Sequence, residues 1–400
     1  MPITRRHFLK TITSGSVALL ASCSGSASSW PPSAAPAVLG ARELVVWTTS
    51  YGIDAALARW RGAHPEQPVT RRILSDTQLS RWLSEVQLGE RTSPDAVVSD
   101  ATSIAEWHMS GLWRQLDLTP DTDTQHVAIG RIHSTSSTGA RYAIPLAVNP
   151  IGAWYSHAIL AMVLSNTDPD EVAAAFGADS MAFGAFLARA STVVPSGPLL
   201  SSTLDDYLLP YLDHAFMHTD ALSPQWQAEM VQSANILQDA QLSAPDRHFS
   251  GNWNKSITHE HTGIILAGRW LKTTLMRAVG ESTSTWRLCK PASGFIAGPS
   301  LICAIPDRST QPEPAIALAT ALASDVDLQL LLCEGTGTVP TLISAHQNAP
   351  FIGPDGFCGG QSIGELWCTA AQNLRAVPLT PERIELRRTI RTAFTSAFVK

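Results

Sequence analysis

Between Glu43 and Gly111, short β-rich runs alternate with amphipathic helical stretches, and this alternation does most to narrow what the chain can become. Glu43 to Trp47 reads as a strand, followed by the polar turn Thr48 to Gly52. Asp54 to Gly62 places Ala56, Leu57 and Trp60 on one helix face. Val69 to Leu74 reads as a second strand, and Thr77 to Leu88 carries Leu79, Leu83, Val86 and Gln87 at spacings near three and four. Pro94 to Val98 reads as a third strand ending at Ser99 and Asp100, and Thr102 to Met109 as a helix stopping near Gly111. Strand followed by helix, repeated, predicts an α/β fold on a mostly parallel sheet with helices on both faces. In such sheets ligands gather beyond the carboxyl ends of the strands. Those ends are Trp47 to Thr49, Ser75 to Asp76 and Ser99 to Asp100.

Further along, Arg141 to Leu146 and Ala153 to Tyr155 are extended runs separated by Asn149, Pro150, Ile151 and Gly152. A proline and a glycine between two extended pieces predict a crossing between lobes. Met181 to Ala190 and Gln225 to Gln238 are helical by period. Gly263 to Gly268 is an apolar strand opening into Arg269, Trp270 and Leu271, and Phe295 to Ile305 is an extended return to the first lobe. Glu313 to Leu332 reads as one strong helix before the turn Gly335 to Pro340. Ile363 to Leu374 and Pro381 to Phe398 are closing helices. No internal repeat is visible at solenoid or propeller periods.

The N-terminus reads as an address. Thr4 to Lys10 contains the pair Arg5-Arg6 before a modestly apolar stretch, Thr11 to Ala21, which matches a twin-arginine export signal. That stretch is too short and too polar to span a bilayer. It ends in Leu20-Ala21-Ser22-Cys23, the pattern of a bacterial lipobox, whose thiol receives the lipid. Residues 1–23 are therefore expected to be a lipoprotein signal with lipidation at Cys23. Residues 24–41, rich in Ser, Ala, Pro and Gly, are expected to be a flexible tether to the membrane. The chain beyond the signal has about 377 residues (400 minus 23), too many for one ordinary core, and predicts two lobes.

Hydrophobic content of 44% against 16% charged marks a globular chain. The net charge of −6 lacks the basic bias of a nucleic-acid binder. Twelve tryptophans against five tyrosines supply flat apolar faces suited to stacking on sugar rings. Cys289, Cys303, Cys333, Cys358 and Cys368 lack close metal spacing; export allows disulfides, Cys358 and Cys368 are a local pair, and connectivity stays open. His259-Glu260-His261 places two histidines two apart, which suits one strand face and not the His-Glu-x-x-His helix of a zinc protease. No nucleophile elbow, phosphate loop or cofactor motif appears, so neither catalysis nor a cofactor is expected. An exported glycan hydrolase needs two opposed carboxylates, which sequence cannot pair.

These pieces, in order, resemble the extracellular solute-binding proteins of ABC importers, in particular the carbohydrate-binding family 1 that includes maltose-binding protein. The resemblance runs over roughly Glu43 to Lys400. It is carried by Leu44 to Trp47, by Ser93 to Asp100 followed by Gly111 to Asp117, by Tyr142 to Leu146 followed by Ala153 to Tyr155, by Gly263 to Trp270 and by Leu330 to Pro340. Where the family usually has Tyr-Asn-Lys this chain has Tyr155-Ser156-His157. The threonine-tryptophan start of the next helix is replaced by Asp179 to Phe183. The resemblance implies a two-lobed periplasmic-binding-protein fold of type II, each lobe a mixed sheet flanked by helices and joined by hinge segments. Lobe one would comprise residues 42–149 and 291–345, and lobe two residues 150–290 and 346–400. Closure on a small-molecule solute, expected to be carbohydrate, is a hinge motion. A monomer docking on the transmembrane subunits of an ABC permease is implied; a sensory or adhesive lipoprotein is the alternative on the same fold.

A sugar site needs planar apolar faces and fixed polar groups. Trp270, after a glycine at a strand end, matches a position where the family places an aromatic residue. Tyr51, Thr49 and Ser50 lie in the turn after the first strand, and Asp76 and Asp100 follow strand ends, where helix capping competes. Asn149 lies at the crossing and Tyr155 just beyond it. Trp253 lies in the polar run Ser250 to Asn254 and reads as a lid, and Gly294 with Phe295 lies where the chain returns.

Overall fold

The computed structural model describes residues 42–117, 124–177, 180–194, 250–258, 263–280, 285–291, 294–348 and 351–398, with single positions 228 and 232. Strand β1 (Leu44–Thr48) buries Leu44, Val46 and Trp47. Helix α1 (Asp54–Ala63) buries Ala56, Leu57 and Trp60, the face that the sequence spacing predicts. Strand β2 (Val69–Ile73) and helix α2 (Asp76–Leu88) repeat the unit. A reciprocal cap starts α2: Gln78 N donates to Ser75 Oγ at 3.2 Å and Ser75 N to Gln78 Oε1 at 3.0 Å. Strand β3 (Ala96–Asp100) runs directly into helix α3 (Ala101–Ala105).

The later elements are α4 (Ala128–His133), β4 (Ala143–Ser156), α5 (His157–Leu160), α6 (Pro169–Phe176), α7 (Ser180–Ser191) and α8 (Gly251–Thr258). After them come β5 (Ile264–Ala267), α9 (Leu271–Val279), β6 (Trp286–Cys289), β7 (Ile296–Ala304), α10 (Pro312–Ser324) and α11 (Val326–Thr336). The chain closes with β8 (Val339–Pro340), α12 (Ile363–Asn373) and α13 (Pro381–Phe398). Most of the helix expected over Gln225 to Gln238 lies outside the described residues, as do Cys23, the tether and His259 to His261.

The sheet runs β2-β1-β3-β7-β4-β5, with β6 and β8 also paired to β4. Among the described residues only β1 with β2 and β1 with β3 are parallel; β7 enters antiparallel to both β3 and β4. The sheet is thus mixed, and the parallel expectation holds for its first three strands alone. β4 is the main departure from the sequence reading. Pro150 and Gly152 do not break it: its first part pairs with β7, and Gly152 to Ser156 pairs with β5 and β6. Register shifts on either side of Ala147 absorb the irregularity. Gly152 has a packing cause, since a Cβ there would lie 2.7 Å from Leu288 Cδ1 and 2.9 Å from Trp367.

Side-chain alternation along β4 feeds two cores. Ala153 and Tyr155 face one cluster, with Phe176, Phe183 and Leu187. Trp154 faces the larger cluster and lies 6.2 Å from Trp367. The single helix expected over Glu313 to Leu332 is two, α10 and α11, bent by 82°. Asp325 takes an extended conformation at the break and accepts from Leu328 N at 3.0 Å. Apolar spacing runs on through such a bend because both helices bury a face. Among the described residues no single helix is long and apolar enough to cross a membrane.

The five cysteines of the body are all buried free thiols, and Cys358 and Cys368 are not bonded to each other. Burial pushes the thiols of Cys303, Cys333, Cys358 and Cys368 up to about 12 and raises that of Cys289 as well. The native body should therefore be inert to a thiol reagent at neutral pH, titrate fully only when unfolded, and melt at the same midpoint with or without a reductant. A reductant-sensitive midpoint would contradict this.

Candidate functional site

The carboxyl end of β1 leads into a turn that its own hydroxyls close. Ser50 N donates to Thr48 Oγ1 at 2.9 Å, and Thr49 Oγ1 shares a 2.9 Å bond with Ser99 Oγ on the neighbouring strand β3. Arg71 Nη1 donates to Tyr51 O at 3.3 Å and pairs with Asp54 at 2.9 Å. Tyr51 itself is 44% exposed, so its ring is open to a partner. Behind the turn, Gly52 rests on Gly335 of α11, where a Cβ would lie 2.0 Å from the Gly335 carbonyl oxygen.

A second wall comes from the turn between β5 and α9. Gly268 packs on Asn149, with a Cβ position only 2.1 Å from Asn149 Oδ1, and Gly298, the register partner of Asn149 on β7, packs on its other side. Asn149 Oδ1 is buried with no hydrogen-bond partner among the described residues. Trp270 comes next, half-buried, against Gly337. Gly337 caps α11 with a φ of 66°, and a Cβ on it would lie 2.4 Å from Trp270 Cα. The structure thus links Gly52 with Gly335, Trp270 with Gly337, and Asn149 with Gly268, around the C-terminal end of α11.

Other expected residues do different work. The carboxylate of Asp100 caps α3: it accepts from Ser103 N at 2.9 Å, from Ser103 Oγ at 2.6 Å and from Thr102 Oγ1, which leaves little for a ligand. Asp76 is exposed in the first turn of α2, where a carboxylate favours the helix dipole. Tyr155 is fully buried and donates to Thr167 O at 2.8 Å, with its pKa raised by burial; it is a core residue and not a wall of the site. Trp253 is also fully buried, inside α8. Its N donates to Ser250 Oγ at 3.1 Å, so the polar run caps a helix and makes no lid. Gly294 has a φ of 89° and closes a turn onto Pro291 O at 2.9 Å; the Phe295 ring lies 5.4 Å from Trp367.

Sequence reasoning missed Arg269. It is largely buried, donates from Nη1 to Cys333 O at 3.1 Å and to Thr338 O at 3.3 Å, and sits 4.7 Å from the Phe351 ring centre. It also borders a cavity of about 390 Å³ with Lys272, Met276 and Phe357, where Lys272 is ion-paired with Asp355. Its only sequence signal was adjacency to Trp270. Among the described residues no three His, Cys, Asp or Glu side chains gather as metal ligands.

The chain, whose mixed sheet has β4 and β7 antiparallel at its centre, has the periplasmic-binding-protein fold, as comparison with solved structures shows. Solved structures match it over nearly their whole length. One is an extracellular solute-binding protein of family 1 (TM-score 0.74, 16% identity, 88% of this chain and 93% of that one). Another is the GacH receptor of Streptomyces glaucescens, solved unliganded and with acarbose (0.69, 15%, 89% and 93%). A third is the galacto-N-biose/lacto-N-biose I-binding protein of an ABC transporter from Bifidobacterium longum, with lacto-N-biose (0.70, 15%, 90% and 92%). No protein-family profile and no curated protein matches the chain by sequence.

Proposed function

We propose that the protein is an extracytoplasmic receptor of an ABC importer, held to the membrane by lipid on Cys23, that binds a sugar or oligosaccharide between two lobes. The observation that carries this reading is the meeting of Trp270, Asn149 and the Thr49–Tyr51 turn around one helix end, in a fold whose solved examples include sugar-bound receptors. The half-buried indole offers an apolar face, and Thr49, Ser50 and Tyr51, on the turn that leads to Gly52 and α11, with Asn149 under Gly268, offer polar groups. The proposed lobes are residues 42–149 with 291–345, and 150–290 with 346–400. β4 and β7 cross between them, with Asn149 at the crossing. A solute stabilises the closed state through contacts with both lobes, and the closed monomer docks on the permease.

Tryptophan fluorescence and thermal melting of the chain from Ser24 to Lys400, against a panel of mono- and oligosaccharides, test this directly. A saturable spectral change with a raised midpoint, and sugar recovered intact, is the expected result. No response across the panel sinks the carbohydrate assignment, and a cleaved sugar overturns the receptor reading. Trp270→Ala should weaken the best sugar by roughly 10- to 100-fold, the loss of one stacking face. Equal affinity in this variant would remove Trp270 from the site.

A further inference from the structure

The carbonyls in the last turn of a helix lack donors within the helix and carry the negative end of its dipole. At the end of α11 that need is met partly by its own cap, since Gly337 N and Thr338 N both donate to Cys333 O. From outside the helix, Arg269 Nη1 adds a further donor to Cys333 O and also reaches Thr338 O, just beyond the cap. A fixed charge whose one nitrogen carries two N–H donors suits this bridge between two carbonyls. Phe351 lies beneath the guanidinium and completes its packing.

The residue after Arg269 is Trp270, whose backbone rests on Gly337 with no room for a methyl group between them. The preceding side chain and the Trp270 backbone are therefore both fastened to the same helix end. Slightly earlier in α11, Gly335 meets Gly52 just as closely, backbone on backbone. The end of α11 thus supports the turn carrying Thr49 to Tyr51 and, through Arg269, the turn carrying Trp270.

We infer that Arg269 is a positioning residue for the solute: it ties Trp270 to the C-terminal end of α11 and so sets the spacing between the two walls of the site. Under the proposed lobe division its hydrogen bonds run from lobe two to lobe one. The inference rests on Trp270 being a site residue; Arg269 itself need not touch the solute.

The test uses Arg269→Ala and Arg269→Lys in the 24–400 protein labelled with 5-fluorotryptophan, with Trp270→Phe to assign the Trp270 fluorine resonance. In the absence of solute, Arg269→Ala should shift or broaden the Trp270 resonance while that of Trp60, in α1, stays in place. With the sugar found in the panel, its dissociation constant should rise about tenfold, mostly through a faster off-rate. Arg269→Lys should recover part of both effects, since lysine keeps the charge but has no planar group to lie over Phe351. An unmoved Trp270 resonance with wild-type affinity overturns the inference, and so does a disturbance spread equally over all tryptophans. If Arg269→Ala does not fold, Arg269→Lys decides by the same two readouts. Failure of the wild-type protein to bind any sugar counts against the proposed function alone, because the solute-free Trp270 resonance still tests the positioning role.

Discussion

Gly52→Ala is expected to cost on the order of 3 kcal/mol of folding stability. The added methyl would lie 2.0 Å from the Gly335 carbonyl oxygen, 2.1 Å from its carbon and 2.4 Å from Thr336 N. All three are backbone atoms of α11, so no side chain can swing aside, and one of the two elements must move. Urea unfolding of wild type and variant measures the loss. A difference below about 0.5 kcal/mol would show that α1 and α11 slide apart freely. The contact is reciprocal, because a Cβ on Gly335 would lie 2.0 Å from Gly52 O. Gly335→Ala should nonetheless cost about 1 kcal/mol less, since alanine regains helix propensity there. Both variants should also displace Thr49 to Tyr51 and weaken any ligand held by that turn.

Stability should climb by about 3 kcal/mol between pH 4 and pH 6.5 through His133 alone. This imidazole is fully buried, its Nδ1 shares a 2.9 Å bond with Ser300 Oγ, and its Nε2 has no partner among the described residues. Burial disfavours the charged ring and pulls its pKa from 6.5 to about 4. Between those values the unfolded chain binds a proton that the folded chain refuses. The stabilisation is therefore complete above 6.5 and is lost as the pH falls towards 4. His108 and His346 are lowered in the same direction, again chiefly by burial, and add slope of the same sign. Chemical denaturation at stepped pH, repeated with His133→Gln, is the check. The variant should show a flatter profile, and an unchanged slope would place the titration elsewhere.

Much of the first half of the sheet is legible in the sequence because it is local. The faces of α1 and α2 follow from the spacing of Ala56, Leu57 and Trp60 and of Leu79, Leu83 and Val86, while Gln87, at the same spacing, is exposed. The cap at Ser75 and Gln78 is written within four residues. Asp100 shows how one local signal serves two readings: a carboxylate at a strand end is placed equally well for a ligand and for a helix cap, and three hydrogen bonds from Thr102 and Ser103 decide for the cap. Trp253 misleads because a polar run with a tryptophan looks like a loop until its helix packs its indole inward.

The sequence alone determined the alternation of strands and helices, the extended runs that become β4 and β7, and Trp270 after a strand that ends in a glycine. Periods of two and near four come from backbone geometry and need no partner to be read. Tertiary structure alone decided that β4 runs unbroken through Pro150, that α10 and α11 part at Asp325, and that Tyr155 turns into a core. It also decided that Arg269 bridges Cys333 and Thr338, 64 and 69 residues further along the chain. Such contacts join segments whose own patterns are complete without each other, and they exist only once packing has brought the carbonyls at a helix end against a buried guanidinium.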